Sequence, residues 1–113
     1  MIYLASPYSH PDSHIVRDRF LLVEQVTALL IQQGEFVWSP IVHCHEMAAK
    51  FKLPTDALFW KAYNFDFIRR ADAVYILKIP GWDKSVGVKM EIELADACGI
   101  RKQFVDAEAR PCE

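Results

Sequence analysis

The stretch AVYILKIPGWDKSVGVKMEIELADACG, residues 73–99, decides the fold. Its first seven residues are rich in branched side chains and stop at Pro80-Gly81, as a buried strand does at a turn. The period then changes, and a helix is expected from about Gly87 to Cys98, with Gly99 as its C-terminal stop. KQFVDA (102–107) is the next strand candidate, so strand, helix and strand follow one another as a βαβ unit. The same alternation runs back through the chain. MIYLA (1–5) reads as a short buried strand, followed by the turn formers of SPYSHPD. Val16, Phe20, Val23, Val26 and Leu30 then fall at helical spacing, from about Ser13 to the stop at Gly34. EFVWS (35–39) is a second strand, broken by Pro40. HEMAAKFKL (45–53) reads as a short helix and Thr55 as the N-cap of another, from Asp56 to about Arg70. The tail ARPCE reads as coil.

Right-handed crossovers reduce this order to one fold class. It is α/β: a small doubly wound, flavodoxin- or Rossmann-like parallel sheet of four to five strands with flanking helices, forming a single domain over residues 1–113. Ligands in such sheets sit beyond the carboxyl ends of the strands, where the strand order reverses. With strand order 2-1-3-4, that crevice is flanked by SPYSH after the first strand and PGWDKS after the third.

Composition narrows the function. The 113 residues are 52% apolar, enough for one packed core, and carry a net charge of −2. Lys and Arg are dispersed, which argues against a nucleic-acid groove or a membrane-binding basic patch. No apolar run is long enough to span a bilayer, and MIYLASPYS is short and lacks the basic start of a signal peptide. Three widely spaced cysteines, Cys44, Cys98 and Cys112, fit free thiols and a cytoplasmic location. A small phosphorylated ligand stays open, because backbone N–H groups at a helix start hold phosphate without a basic surface. HCHE (43–46) offers zinc-type ligands but not the spacing of a four-ligand site, so no metal and no cofactor is expected.

Two carboxylates, Glu91 and Glu93, lie on the helix that follows the third strand. Two positions make about 200° on a helical wheel, so the pair cannot share a pocket. Glu91 falls in or just after the first turn, where the helix dipole favours the anion, and it is expected to be ionised near neutral pH. An ionised carboxylate suits a nucleophile better than a general acid. Gly87 permits close backbone approach, and Ser85 can either cap the helix or meet a phosphate. Spacing alone leaves both glutamates open to the reading of charges on a solvated face.

Three segments, IYLASPYSH, FVWSPIVHCH and ADAVYILKIPGWDKSVGVKMEIELADACGI, resemble the nucleoside 2-deoxyribosyltransferase-like family, and most closely its short, poorly characterised members of nucleotide N-glycosidase type. The resemblance implies that Glu91 is the nucleophile. It would attack the anomeric carbon of a nucleoside or nucleotide, displace the base and form a glycosyl-enzyme resolved by water or by another base. A serine at position 85 is the pattern of members that act on nucleotides, whereas those acting on free nucleosides carry Asp. The resemblance thus implies a 5′-monophosphate substrate, with Ser6, Ser9 and the helix start as its cradle. Tyr8, in the first loop, shapes the sugar site, stacks on the base or is a packing residue beside the sheet.

One position departs from that pattern. Where the family places a second carboxylate for the leaving base, this chain has Asn64, which can hydrogen-bond a base but cannot protonate it. Asp66 is the nearest carboxylate, and an i,i+4 ion pair with Arg70 competes for it. His43, on the ligand side of the sheet, is a pocket-lining or phosphate-binding residue or a second candidate acid, or else a surface or helix-start residue. Trp82 is a lid over the base or an anchor of its turn. The aromatic run FWKAYNFDF (59–67) exceeds what a small monomer needs, and with the family's habit it implies a homo-oligomer, a dimer or tetramer. The expected function is cleavage of an N-glycosidic bond in a (deoxy)nucleoside 5′-monophosphate, by hydrolysis or base exchange. The alternatives are a non-catalytic nucleotide-binding protein on the same scaffold and a nicotinamide–ribose glycohydrolase.

Overall fold

A computed structural model describes residues 1–113. The elements in chain order are β1 (Ile2–Ala5), α1 (Ser13–Gln32), β2 (Val37–Trp38), α2 (Pro40–Lys50), α3 (Ala57–Ile68), β3 (Ala73–Leu77), α4 (Val86–Ala97), β4 (Arg101–Val105) and β5 (Pro111–Cys112). They form one five-stranded sheet of order β2-β1-β3-β4-β5, parallel except for β5. Ile2 lies beside Val37 on one flank and Ala73 on the other, and Ala73 beside Arg101. The expected α/β doubly wound class is the observed one.

Alternation along the strands sorts the core into two layers. Tyr3, Ala5, Val74 and Ile76 face one side and pack with Ile68 of α3 and Val88 and Ala95 of α4. Leu4 and Leu77 face the other side and pack with Val23, Val26 and Leu30 of α1. Both faces of β1 and β3 are therefore covered, which is why these strands read as continuous apolar runs.

Three boundaries differ from the sequence reading. The helix expected at residue 45 begins at Pro40, because Ser39 caps it by accepting the Val42 N–H at 3.1 Å and proline is preorganised for the first helical position. That early start shortens the second strand to Val37–Trp38. Asp56, not Thr55, caps α3, accepting the Phe59 N–H at 2.8 Å. The tail is not coil: Asp106 accepts the N–H groups of Glu108 and Arg110, each at 2.9 Å, and turns Pro111–Cys112 back against β4. No helix is long and apolar enough to cross a membrane.

Candidate functional site

The strand order reverses between β1 and β3, and a cleft of about 750 Å³ opens beside their carboxyl ends. The loop after β1 contributes Ser6, Tyr8 and Ser9, and the start of α4 contributes Ser85, Gly87 and Glu91. α2 adds Cys44 and His45, and α3 adds Leu58, Trp60 and Asn64. Of the residues singled out from sequence, Ser6, Tyr8, Ser9, Asn64, Ser85, Gly87 and Glu91 are brought together here.

Glu91 is the chemical centre of the cleft. It is only 6% exposed, and its carboxylate accepts a hydrogen bond from the Tyr3 hydroxyl. Alternation in β1 aims Tyr3 at α4, and a buried tyrosine needs a partner for its hydroxyl. The expected ionised state of Glu91 is overturned. Burial pushes its pKa up to about 8, against the lowering effect of the Tyr3 bond. Glu91 is the sixth residue of α4, beyond the first turn in which the helix dipole acts, so desolvation dominates. Tyr3 is itself raised well above its ordinary value, first by burial and then by the adjacent carboxylate. Glu93 is exposed, as the wheel requires.

Two buried oxygens in the cleft lack partners: Ser6 Oγ and Asn64 Oδ1. Buried polar atoms are seldom left so, and atoms of this kind lining a cleft are suited to a ligand's donors. Ser85 is the N-cap of α4, its oxygen accepting the Val88 N–H at 3.2 Å, which leaves the hydroxyl proton free to donate. A Cβ on Gly87 would meet Ala57 and Ser85 only at 3.8 Å, so no protein neighbour demands a glycine there.

Behind the cleft, Arg19 of α1 ties its two loops together. Nη1 donates to the Ser9 carbonyl at 2.9 Å and to the Tyr8 carbonyl at 3.4 Å. On the other side its guanidinium lies against Gly81 (φ 95°), where a Cβ would come within 2.3 Å of Nη2. The turn after β3 is thus a glycine turn for two reasons, backbone conformation and the approach of Arg19.

Three sequence candidates lie outside the cleft. His43 is exposed, stacks on Trp38 at 4.1 Å and is held by the Ser39 carbonyl at 2.7 Å. It was expected at the end of a strand, but the early start of α2 turns it outward and gives its place to His45. Asp66 is paired with Arg69 and Arg70 on the solvent side of α3, and the Arg69 hydrogen bond holds its carboxyl below the usual range. It is no acid for this cleft. Trp82 is an anchor, not a lid: it packs against Phe104 at 5.2 Å with Lys78 over its ring at 5.4 Å.

Sequence reasoning missed Tyr3, His45 and Lys84, all close to the chemistry or lining the cleft. Tyr3 had a signal, its parity with Ala5 in a strand buried on both faces. His45 had one in Ser39-Pro40, a cap followed by an N1 proline. The four metal-type side chains of HCHE do not converge, and the structure holds no cluster suited to a metal ion.

The family signature of DUF1937, a domain of unknown function, matches residues 1–106, and the chain belongs to that family. No curated protein matches it.

Proposed function

We propose that this DUF1937 member cleaves the N-glycosidic bond of a nucleoside or deoxynucleoside 5′-monophosphate, with Glu91 as nucleophile. The observation that carries the reading is a single buried carboxylate, held by Tyr3, in a cleft with two unpartnered buried oxygens. An oxocarbenium-like transition state gains most from a negative charge held in a dry site. Ser85 and the N–H groups at the start of α4 suit the phosphate, and Lys84 at the cleft edge adds a cation. Asn64 and Ser6 suit the base and sugar. At pH 7, a pKa of about 8 leaves about one Glu91 in ten ionised before substrate binds. A sugar gaining positive charge beside it favours the carboxylate further.

A panel of nucleoside monophosphates, assayed for free base, tests this. The wild-type protein releases base from at least one, and Glu91→Ala releases none while keeping its circular dichroism spectrum. Base release by Glu91→Ala at the wild-type rate removes the mechanism. A second reading, nucleotide binding without cleavage, is favoured by the amide at Asn64 and the protonated resting state of Glu91. It predicts shifts in melting temperature with the same panel and no free base. The exposed apolar side chains of α3, among them Leu58, Phe59 and Tyr63, further support assembly as a homo-oligomer.

A further inference from the structure

A departing base needs a proton on one of its ring nitrogens or carbonyl oxygens, such as N7 of a purine, and none of Asn64, Asp66 and His43 can supply one in this cleft. His45 can. It lies on α2 one helical position past Cys44, lines the cleft, and packs against Phe20 at 4.1 Å between ring centroids. Its Nδ1 bonds the Tyr8 hydroxyl, whose ring meets it edge-on at 5.5 Å. With Nδ1 occupied, Nε2 is the nitrogen left for a ligand. A phenol suits both states of the ring, since its oxygen accepts from Nδ1–H when the imidazole is charged and its O–H donates to Nδ1 when it is neutral. Burial raises the Tyr8 pKa, so the phenol stays protonated and serves both states.

We infer that His45, oriented by Tyr8, is the proton donor to the leaving base in the reaction proposed above, and this inference rests on that reading. In the first step the Glu91 carboxylate oxygen bonds the anomeric carbon, the carbon–nitrogen bond breaks with its electron pair passing to the base, and a ring nitrogen or carbonyl oxygen of the base takes the proton from Nε2 of the imidazolium. In the second step water attacks the anomeric carbon. Neutral His45 takes a proton from that water, the sugar keeps the hydroxyl, and Glu91 leaves as carboxylate. The sum is nucleotide plus water giving free base plus sugar phosphate, with His45 and Glu91 restored.

The protonation states make a demand on this pair. Burial, then Arg17 of α1, lowers the His45 pKa against the raising effect of Glu46, while Glu91 is raised. The resting cleft therefore holds its proton on Glu91, and the reactive form holds it on His45. These shifts run against the roles of acid and nucleophile, so the reactive form is the minor one before substrate binds. A phosphate dianion entering the cleft favours the imidazolium, and the developing sugar cation favours the carboxylate, so substrate itself drives the exchange.

The test uses leaving groups that differ in their need for a proton. Guanosine and 2′-deoxyguanosine 5′-monophosphates leave as guanine only when protonated, whereas their N7-methylated counterparts carry a positive ring and leave neutral. His45→Gln is expected to slow base release from the unmethylated pair by about a hundredfold or more and from the methylated pair by less than about threefold. Tyr8→Phe keeps the imidazole and is expected to lose about tenfold, with the same selectivity. Should His45→Gln fail to fold, the ratio in Tyr8→Phe decides alone. Equal losses on both pairs, or no loss on either, overturn the role of His45 and leave Glu91 standing. No base release by the wild-type protein from these four or from any member of the nucleoside monophosphate panel overturns the Glu91 reading and this inference with it.

Discussion

The two walls of the cleft are built differently. The inner wall, from β1, its loop and α4, has a buried floor: Tyr3 is fully buried, Ser6 is 5% exposed, and Glu91 accepts a hydrogen bond from the Tyr3 hydroxyl. The outer wall is α3, in which only Ile68 is buried, while Leu58 is 75% exposed and Phe59 and Tyr63 are also open to solvent. The inner wall places one carboxylate in a fixed, dry position, as nucleophilic chemistry requires. The outer wall offers apolar and aromatic area that the monomer does not use. In the function proposed here, Glu91 acts from the first wall and His45 from α2 beside it, and the second wall serves ligand selection or subunit contact.

The largest effect that separates the walls is on Glu91. Its pKa rises from 4.5 in the unfolded chain to about 8 in the fold, so the native state binds a proton that the unfolded state has lost across that range. Stability falls as pH rises through this window and levels off above it. At about 1.4 kcal/mol per pH unit, the interval is worth on the order of 5 kcal/mol. Glu91→Gln keeps the shape, cannot ionise, and is expected to flatten this part of the pH–stability curve, measured by urea unfolding between pH 5 and pH 8. A slope equal to that of the wild type would mean that the buried proton sits elsewhere.

Next is the bond that holds that carboxylate. Tyr3→Phe removes a buried hydroxyl and leaves Glu91 without its donor, a loss of about 1–3 kcal/mol. The same bond lowers the Glu91 pKa, so its removal raises that pKa further. If base release depends on the ionisation of Glu91, the limb of its pH profile that Glu91 controls moves to higher pH in Tyr3→Phe. An unmoved profile would separate Glu91 from the rate.

Much of the inner wall was legible in the sequence, and the reasons are physical. Alternating strands and helices give the sheet order, and the sheet order gives the crevice, so the loops that carry Ser6, Tyr8, Ser9 and Ser85 follow from topology, whereas Glu91 was separated from Glu93 as the functional carboxylate by the family resemblance. The ionisation of Glu91 was not legible, because it depends on the depth at which α4 packs against Tyr3, a contact between residues 88 positions apart. The exchange of His43 for His45 turned on where α2 begins, and helix starts are set by caps that a periodicity reading passes over. The strand at Pro111–Cys112 was hidden for a related reason, since two residues carry no period and the turn is made by Asp106.

A smaller effect tests how the inner wall is supported. Gly81 lies at φ 95° with the Arg19 guanidinium where its Cβ would go, while a Cβ on Gly87 would make only ordinary contacts with Ala57 and Ser85 at 3.8 Å. Gly81→Ala is expected to cost about 1–3 kcal/mol in thermal or urea unfolding. Gly87→Ala is expected to cost nothing measurable in stability, sitting within a helix where alanine is the better former. Its cost should appear in nucleotide affinity instead, through the added methyl at the start of α4. If both substitutions cost the same stability, the two loops are not held as Arg19 suggests.

The smallest effect belongs to the outer wall. Leu58 and Phe59 are exposed, so replacing either with serine removes little buried area and is expected to change monomer stability by no more than about 0.5 kcal/mol. Leu58 also lines the cleft and Phe59 does not, which splits the two uses of this wall. If α3 packs against a second copy of the chain, Phe59→Ser lowers the assembly mass in analytical ultracentrifugation and leaves nucleotide affinity alone. If α3 serves the ligand, Leu58→Ser weakens affinity and leaves the mass alone. A loss of several kcal/mol from either would show that α3 is packed in a way its exposure denies, and the contrast between the walls would fall with it.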